Sequence, residues 1–181
     1  MYILNAKIRF VSDYFQARYS DKAKAETNSP IGRPPSEGQQ LDDESWKELL
    51  YKDEQGIYIP AMQLKGAIDN AGIKIKKKPR GSFKDACRAY LFIDPERIYI
   101  GKQEPDYINT SHPKRKDGMR VKLLHPAFKK GLEVEFKIVC LNDDLKVSTI
   151  KAILEVAGRE CAVGAWRPMH GRFEVVEVKS E

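Results

Sequence analysis

Tyr2, Leu4, Ala6, Ile8 and Phe10 alternate with Ile3, Asn5, Lys7 and Arg9. That period predicts a half-buried strand over residues 2–11. The pattern then lapses. Residues 12–42 have no apolar period, and Asn28 to Gln40 is crowded with Pro30, Gly32, Pro34, Pro35 and Gly38. Such a stretch predicts a long loop or insertion. Asp42-Asp43-Glu44 opens a short amphipathic helix through Trp46, Leu49 and Leu50. Ile57-Tyr58-Ile59 is a short extended piece ending at Pro60. Met62, Leu64, Ala67, Ile68 and Ala71 recur at helical spacing, predicting the first main helix over about 61–72 with Gly72 as its stop.

Beyond that helix, residues 74–84 read as a loop or extended arm. Ala89–Ile93 and Arg97–Ile100, joined by Asp94-Pro95-Glu96, predict a hairpin. Met119–Leu124 and Leu132–Leu141 predict two more strands. In the second, Val134, Phe136 and Ile138 alternate with Glu133, Glu135 and Lys137, so one side is wet. Ser148 is the expected N-cap of a second helix over about 148–158, carried by Ile150, Ile153, Leu154, Val156 and Ala157. Phe173, Val175, Val176 and Val178 predict the last strand.

Stripped of insertions, the order is βαββαβ. The fold class expected is α+β, with a ferredoxin-like or RRM-like core. That core is an antiparallel four-stranded sheet with two helices on one face, plus an inserted loop and a hairpin lobe. The chain reads as one domain over 1–181, with an insertion over 12–56 and a basic hairpin lobe over 74–118.

Charge sharpens this picture. The 181 residues carry a net charge of +6. Residues 72–90 hold seven Lys and Arg against Asp85 alone, and residues 112–130 hold seven against Asp117 alone. The remainder is therefore net acidic, and the two cationic tracts have the pattern of a nucleic-acid site. Cys87, Cys140 and Cys161 form no C-x-x-C pair, which predicts buried reduced thiols. No H-E-x-x-H, P-loop or G-x-S-x-G pattern occurs. No metal or cofactor is expected. The N-terminus lacks a signal-type apolar region, and no apolar run reaches about 18 residues. The expectation is a soluble, cytoplasmic protein without a membrane partner.

The most distinctive stretch is Gly164-Ala165-Trp166-Arg167-Pro168-Met169-His170-Gly171-Arg172-Phe173. It is a short basic and aromatic loop between a helix and a strand. With Tyr58-Ile59-Pro60-Ala61-Met62-Gln63-Leu64-Lys65-Gly66-Ala67-Ile68 it resembles two motifs of the RAMP superfamily of CRISPR-associated proteins. These are an "I-P-G-S-x-L-K-G-A-I/L" helix entry and a glycine-rich segment before the last strand. The resemblance is greatest to subunits that coat guide RNA. It extends to a phage or mobile-element relative outside a CRISPR complex. It implies an RRM-like fold, antiviral-defence or phage ribonucleoprotein partners, and copies aligned head to tail on one strand.

The function expected is sequence-independent binding of single-stranded RNA or DNA. The groove expected combines the open sheet face, the basic arm, the lobe and the arginine loop. Its residues are Lys65, Lys74, Lys76, Lys77, Lys78, Arg80, Lys84, Lys114, Arg115, Lys116, Arg120, Lys122, Trp166, Arg167, His170 and Arg172. Each has a plainer reading: solvated lysines in the tracts, a tryptophan plugging the core, and Arg172 anchoring the loop to a carboxylate such as Glu160. Two other functions stay open. One is a metal-independent endoribonuclease using His170 or His112 as base. The other is a protein–protein adaptor or inhibitor mimicking a CRISPR subunit.

Overall fold

A computed structural model describes residues 1–19, 45–76, 81–112, 114, 118 and 123–181. In chain order its strands and helices are β1 (Tyr2–Phe10), β2 (Tyr14–Phe15), a 3-10 turn (Ser45–Leu49), β3 (Lys52–Asp53), β4 (Gly56–Pro60) and α1 (Ala61–Lys74). Then come α2 (Lys84–Tyr90), β5 (Leu91–Asp94), β6 (Arg97–Tyr99), β7 (Tyr107–Ser111) and β8 (Leu123–Phe128). The chain closes with β9 (Glu133–Cys140), α3 (Val147–Val156), a π turn (Ala157–Cys161) and β10 (Phe173–Ser180).

The alternation in β1 does what period two requires. Leu4, Ala6, Ile8 and Phe10 are buried on one face. In register beside them lie Ile138, Phe136 and Val134 of β9. The main sheet has the order β10-β1-β9-β5, and every pairing is antiparallel. α1 and α3 cover this one face: Leu64, Ile68, Ile150, Ile153 and Leu154 share a single core with it. The molecule is thus mixed α+β with antiparallel sheets. Two smaller sheets, β2-β8-β7 and β3-β4-β6, flank the main one.

Several elements differ from the sequence reading. The hairpin expected over 89–100 does not form. Its turn is followed, but β5 pairs with β9 while β6 pairs with β4. Leu91 and Ile93 face the same side as Ile138, and Ile98 lies beside Ile59; Leu91 and Ile98 share one core, but each strand reaches it from a different sheet. β8 does not join the main sheet either; it pairs with β7 and β2. It also runs through His125 and Pro126, which the sequence reads as a connector. Residues 84–90 are helical rather than arm and strand.

Helix ends move as well. α1 continues to Lys74, past Gly72. Gly72 is there for contact: a Cβ would meet Cys87 Sγ at 2.6 Å, so its absence lets α2 approach α1. Lys146, not Ser148, is the N-cap of α3, with no side-chain cap bond. Gly158 does not end the helix but lies in the π turn. There a Cβ would sit 2.0 Å from the Phe173 carbonyl. The expected helix over 45–51 is a 3-10 turn.

Candidate nucleic-acid interface

The Gly164–Arg172 loop is tied to the short segment that leaves β1. Ala165 N–H donates to the Phe15 carbonyl at 2.9 Å, and Gly171 N–H to the Asp13 carbonyl at 2.8 Å. Arg172 N–H donates to Ser12 Oγ at 2.9 Å. Within the loop, Val163 N–H donates to the Gly171 carbonyl at 3.0 Å and His170 N–H to the Trp166 carbonyl at 3.1 Å. Glycine is required at both ends. Gly164 has φ +83°, and a Cβ would meet the Phe15 carbonyl at 2.4 Å. Gly171 has φ +73°, and its Cβ would lie 1.7 Å from the Val163 carbonyl. Trp166 at φ 61° and Ala162 at φ 58° also adopt left-handed backbone. Each costs on the order of 1 kcal/mol, a strain that collects at ligand clamps.

Aromatic rings fix the loop from below. His170 stacks on Phe15 with centroids 4.1 Å apart and an interplanar angle of 19°. Trp166 meets His125 edge-on at 5.7 Å, and its indole N–H donates to His125 Nε2 at 3.3 Å. His125 therefore accepts at Nε2 and carries its proton on Nδ1, a buried atom with no hydrogen-bond partner among the described residues. Burial, helped by His170, holds His125 below the ordinary histidine range. Asp13 takes a bond from the Tyr107 hydroxyl and another from Lys130 N–H. The Tyr107 bond, the Lys130 amide and the nearby His170 hold its carboxyl below the usual range, against some loss of solvent.

Above this base lies an open cleft of about 660 Å³. Its lining joins Asn70, Ile73 and Lys74 at the end of α1, Glu160 and Cys161 of the π turn, and Trp166 and Arg167 of the loop. Trp166 is 42% exposed, so it is neither a core plug nor a free ring. Arg167 and Arg172 are exposed. Arg172 does not anchor to Glu160, whose carboxylate is taken by Lys74 at 3.2 Å and Arg159 at 2.9 Å. Lys74 and the loop thus share one cleft. Lys76 is exposed just beyond it, bridged by its backbone to Ser82.

Other expected contacts fall elsewhere. Lys65 is not a free surface cation: its ammonium bonds Asp69 and the Cys87 carbonyl, bracing α1 against α2. Lys84 is half-buried at the start of α2, and Lys114 is exposed. Lys77, Lys78, Arg80, Arg115, Lys116, Arg120 and Lys122 lie outside the described residues. Of the second cationic tract, Lys129 and Lys130 are exposed just after β8, and His125 within β8 holds Trp166. Cys87 and Cys140 are buried, and Cys161, half-buried, lines the cleft.

The uncovered face of the main sheet has a different character from the groove expected. Lys7 pairs with Glu133 and Glu135, Arg9 with Glu133 and Glu174, Lys137 with Glu181 and Lys179 with Glu177. The charges of this face pair with one another, and its aromatic ring is the exposed Phe92 of the edge strand β5; the central strands β1 and β9 present none. Sequence reasoning missed Phe15, His125, Asn70 and Ile73, which no local pattern marks as belonging to the site.

Among the described residues no helix is long and apolar enough to cross a membrane. No protein-family model matches the chain, and no curated protein matches it.

Proposed function

We propose that this protein binds single-stranded RNA or DNA through its sugar-phosphate backbone, at the cleft between the end of α1 and the Trp166–Arg167 turn. The observation that carries the reading is the shared cleft of Lys74 and Arg167. Lys74 opens the first cationic tract, and Arg167 belongs to a loop far away in sequence. His125 of β8, a strand that lies within the second tract, accepts a hydrogen bond from Trp166, which lines the cleft. Lys74–Glu160 is an exposed pair, and such pairs exchange partners at little cost. Arg167 offers a fork suited to phosphate, and Trp166 offers a ring for a base.

A ferredoxin-like βαββαβ core is part of the proposal. Its support is the strand order β10-β1-β9-β5, with α1 lying between β1 and β5 and α3 between β9 and β10. The RAMP resemblance adds a multi-copy arrangement along one strand in the cytoplasm. The self-neutralised sheet face moves the binding track away from the sheet and onto the helix-end side.

Fluorescence anisotropy with labelled oligo-U and oligo-dT tests this. Lys74→Glu with Arg167→Glu should weaken both strands about ten-fold or more. It should also flatten the dependence of log affinity on log salt by about 0.7 for each phosphate no longer neutralised. Equal affinities and equal slopes for wild type and variant would remove the cleft from the site.

A further inference from the structure

The small sheet β3-β4-β6 carries a second surface with its own chemistry. Its inner face is apolar: Ile57, Ile59, Ile98 and Ile100 are buried. Alternation therefore turns Tyr58 and Tyr99 outward as cross-strand neighbours. Their ring centroids are 5.9 Å apart, and Tyr51 adds a third ring 6.0 Å from Tyr58. The Arg97 guanidinium lies 5.3 Å from the Tyr58 centroid and stays 56% exposed. Asp53 accepts from Arg97 at 2.7 Å and from the Tyr99 hydroxyl at 2.8 Å, so cation and ring are set in place before any ligand arrives.

We propose that Tyr51, Tyr58, Tyr99 and Arg97 form a base-stacking platform, a subsite separate from the cleft for the bases of a bound single strand. The proposal rests on the single-strand reading above and adds where the bases go. Three observations favour this occupant. Tyr51 and Tyr58 are half-buried and Tyr99 is exposed, their rings tilted or edge-on to one another, and an aromatic side chain stacks on any base without reading its identity. Arg97 uses one nitrogen on Asp53 and keeps further N–H groups for a phosphate or a base edge. The platform is also joined to the cleft by one buried side chain. Gln16 follows Phe15, whose carbonyl receives the loop amide of Ala165. The Gln16 amide donates to the Tyr58 carbonyl at 2.9 Å and accepts from Tyr51 N–H at 2.8 Å. One strand end thus supports both surfaces.

Asp53 offsets the Arg97 charge, so this subsite differs from the cleft in its response to salt. Tyr58→Ala with Tyr99→Ala should weaken a homopyrimidine oligonucleotide about ten-fold or more and leave its salt slope unchanged. Tyr58→Phe with Tyr99→Phe keeps the rings and loses the Tyr99–Asp53 bond, and should retain most of the binding that the alanine variant loses. With an abasic strand of equal length, the alanine variant and wild type should bind alike. Photo-crosslinking of the unmodified protein should map to Tyr58 or Tyr99, which keeps the test independent of whether the alanine variant folds.

Wild-type affinity in the alanine variant, with no crosslink at either tyrosine, overturns the platform. It leaves the cleft standing if Lys74→Glu/Arg167→Glu still loses binding. The opposite pattern keeps the platform and removes the cleft. A platform that instead captures a peptide of residues 29–36, Ser-Pro-Ile-Gly-Arg-Pro-Pro-Ser, and leaves oligonucleotide affinity untouched is also overturned. A wild-type protein that binds no strand overturns both readings.

Discussion

Trp166 donates its indole N–H to Nε2 of His125, joining the tip of a glycine-bounded loop to the hairpin β7–β8. The bond needs a neutral imidazole. A doubly protonated ring has no acceptor and would confront the indole donor with another donor. Loop geometry is therefore coupled to the protonation state of one buried histidine.

A pH dependence follows. The folded state holds His125 below the ordinary histidine range, by burial first and then by His170. The unfolded chain therefore binds this proton more readily. The stabilisation is complete above the unfolded value of about 6.5 and is lost as pH falls through the folded value. Urea unfolding should show stability decreasing between about pH 7 and about pH 5, and His125→Gln should flatten that slope. Asp13, also lowered, adds a separate loss in more acid solution, below the unfolded carboxylate value of about 3.9. A wild-type slope retained in His125→Gln would assign the dependence to other groups.

Two glycines predict opposite signs. Gly171→Ala forces a Cβ to within 1.7 Å of the Val163 carbonyl at φ +73°, and should cost more than about 2 kcal/mol. Gly66 lies inside α1 with nothing within 4 Å of a built Cβ. Gly66→Ala should therefore stabilise by about 0.5–1 kcal/mol, since alanine loses less backbone entropy in a helix. Chemical denaturation of the two variants reads both signs directly.

The two sides of the main sheet should respond unequally. Phe136 is 4% exposed in the core, and Phe136→Ala should cost about 3–5 kcal/mol. Lys7→Ala, on the opposite face, should barely move the denaturation midpoint, because its ion pairs are open to solvent. It should also leave oligonucleotide affinity unchanged. A marked loss of affinity in Lys7→Ala would return the strand to the sheet face.

Much of the scaffold is legible in the sequence because half-buried elements announce themselves. β1 and β9 alternate cleanly, and α1 and α3 place apolar residues at helical spacing. α2 is hidden because only Cys87 of its seven residues is buried, leaving no period to read. Strand pairing escapes the sequence for a different reason. Leu91–Asp94 and Arg97–Tyr99 are adjacent in sequence, yet their partners, β9 and β4, are set by where distant apolar faces meet. The loop is visible as a motif. Its supports are not, because Phe15, Asp13 and His125 reach it only through tertiary contact. Tyr51, Tyr58 and Tyr99 come from three separate segments, so no local pattern shows them as one row.

The most direct test of the strand-binding cleft uses the fluorescence of Trp166. Trp46 is the second tryptophan and packs against the core, so a Trp46→Phe protein reports on the cleft alone. Titration with oligo-dT or oligo-U should change Trp166 emission in a saturable way, with a midpoint that shifts to higher concentration as salt rises and again in Arg167→Glu. Binding detected by anisotropy with no change in Trp166 emission would contradict the account.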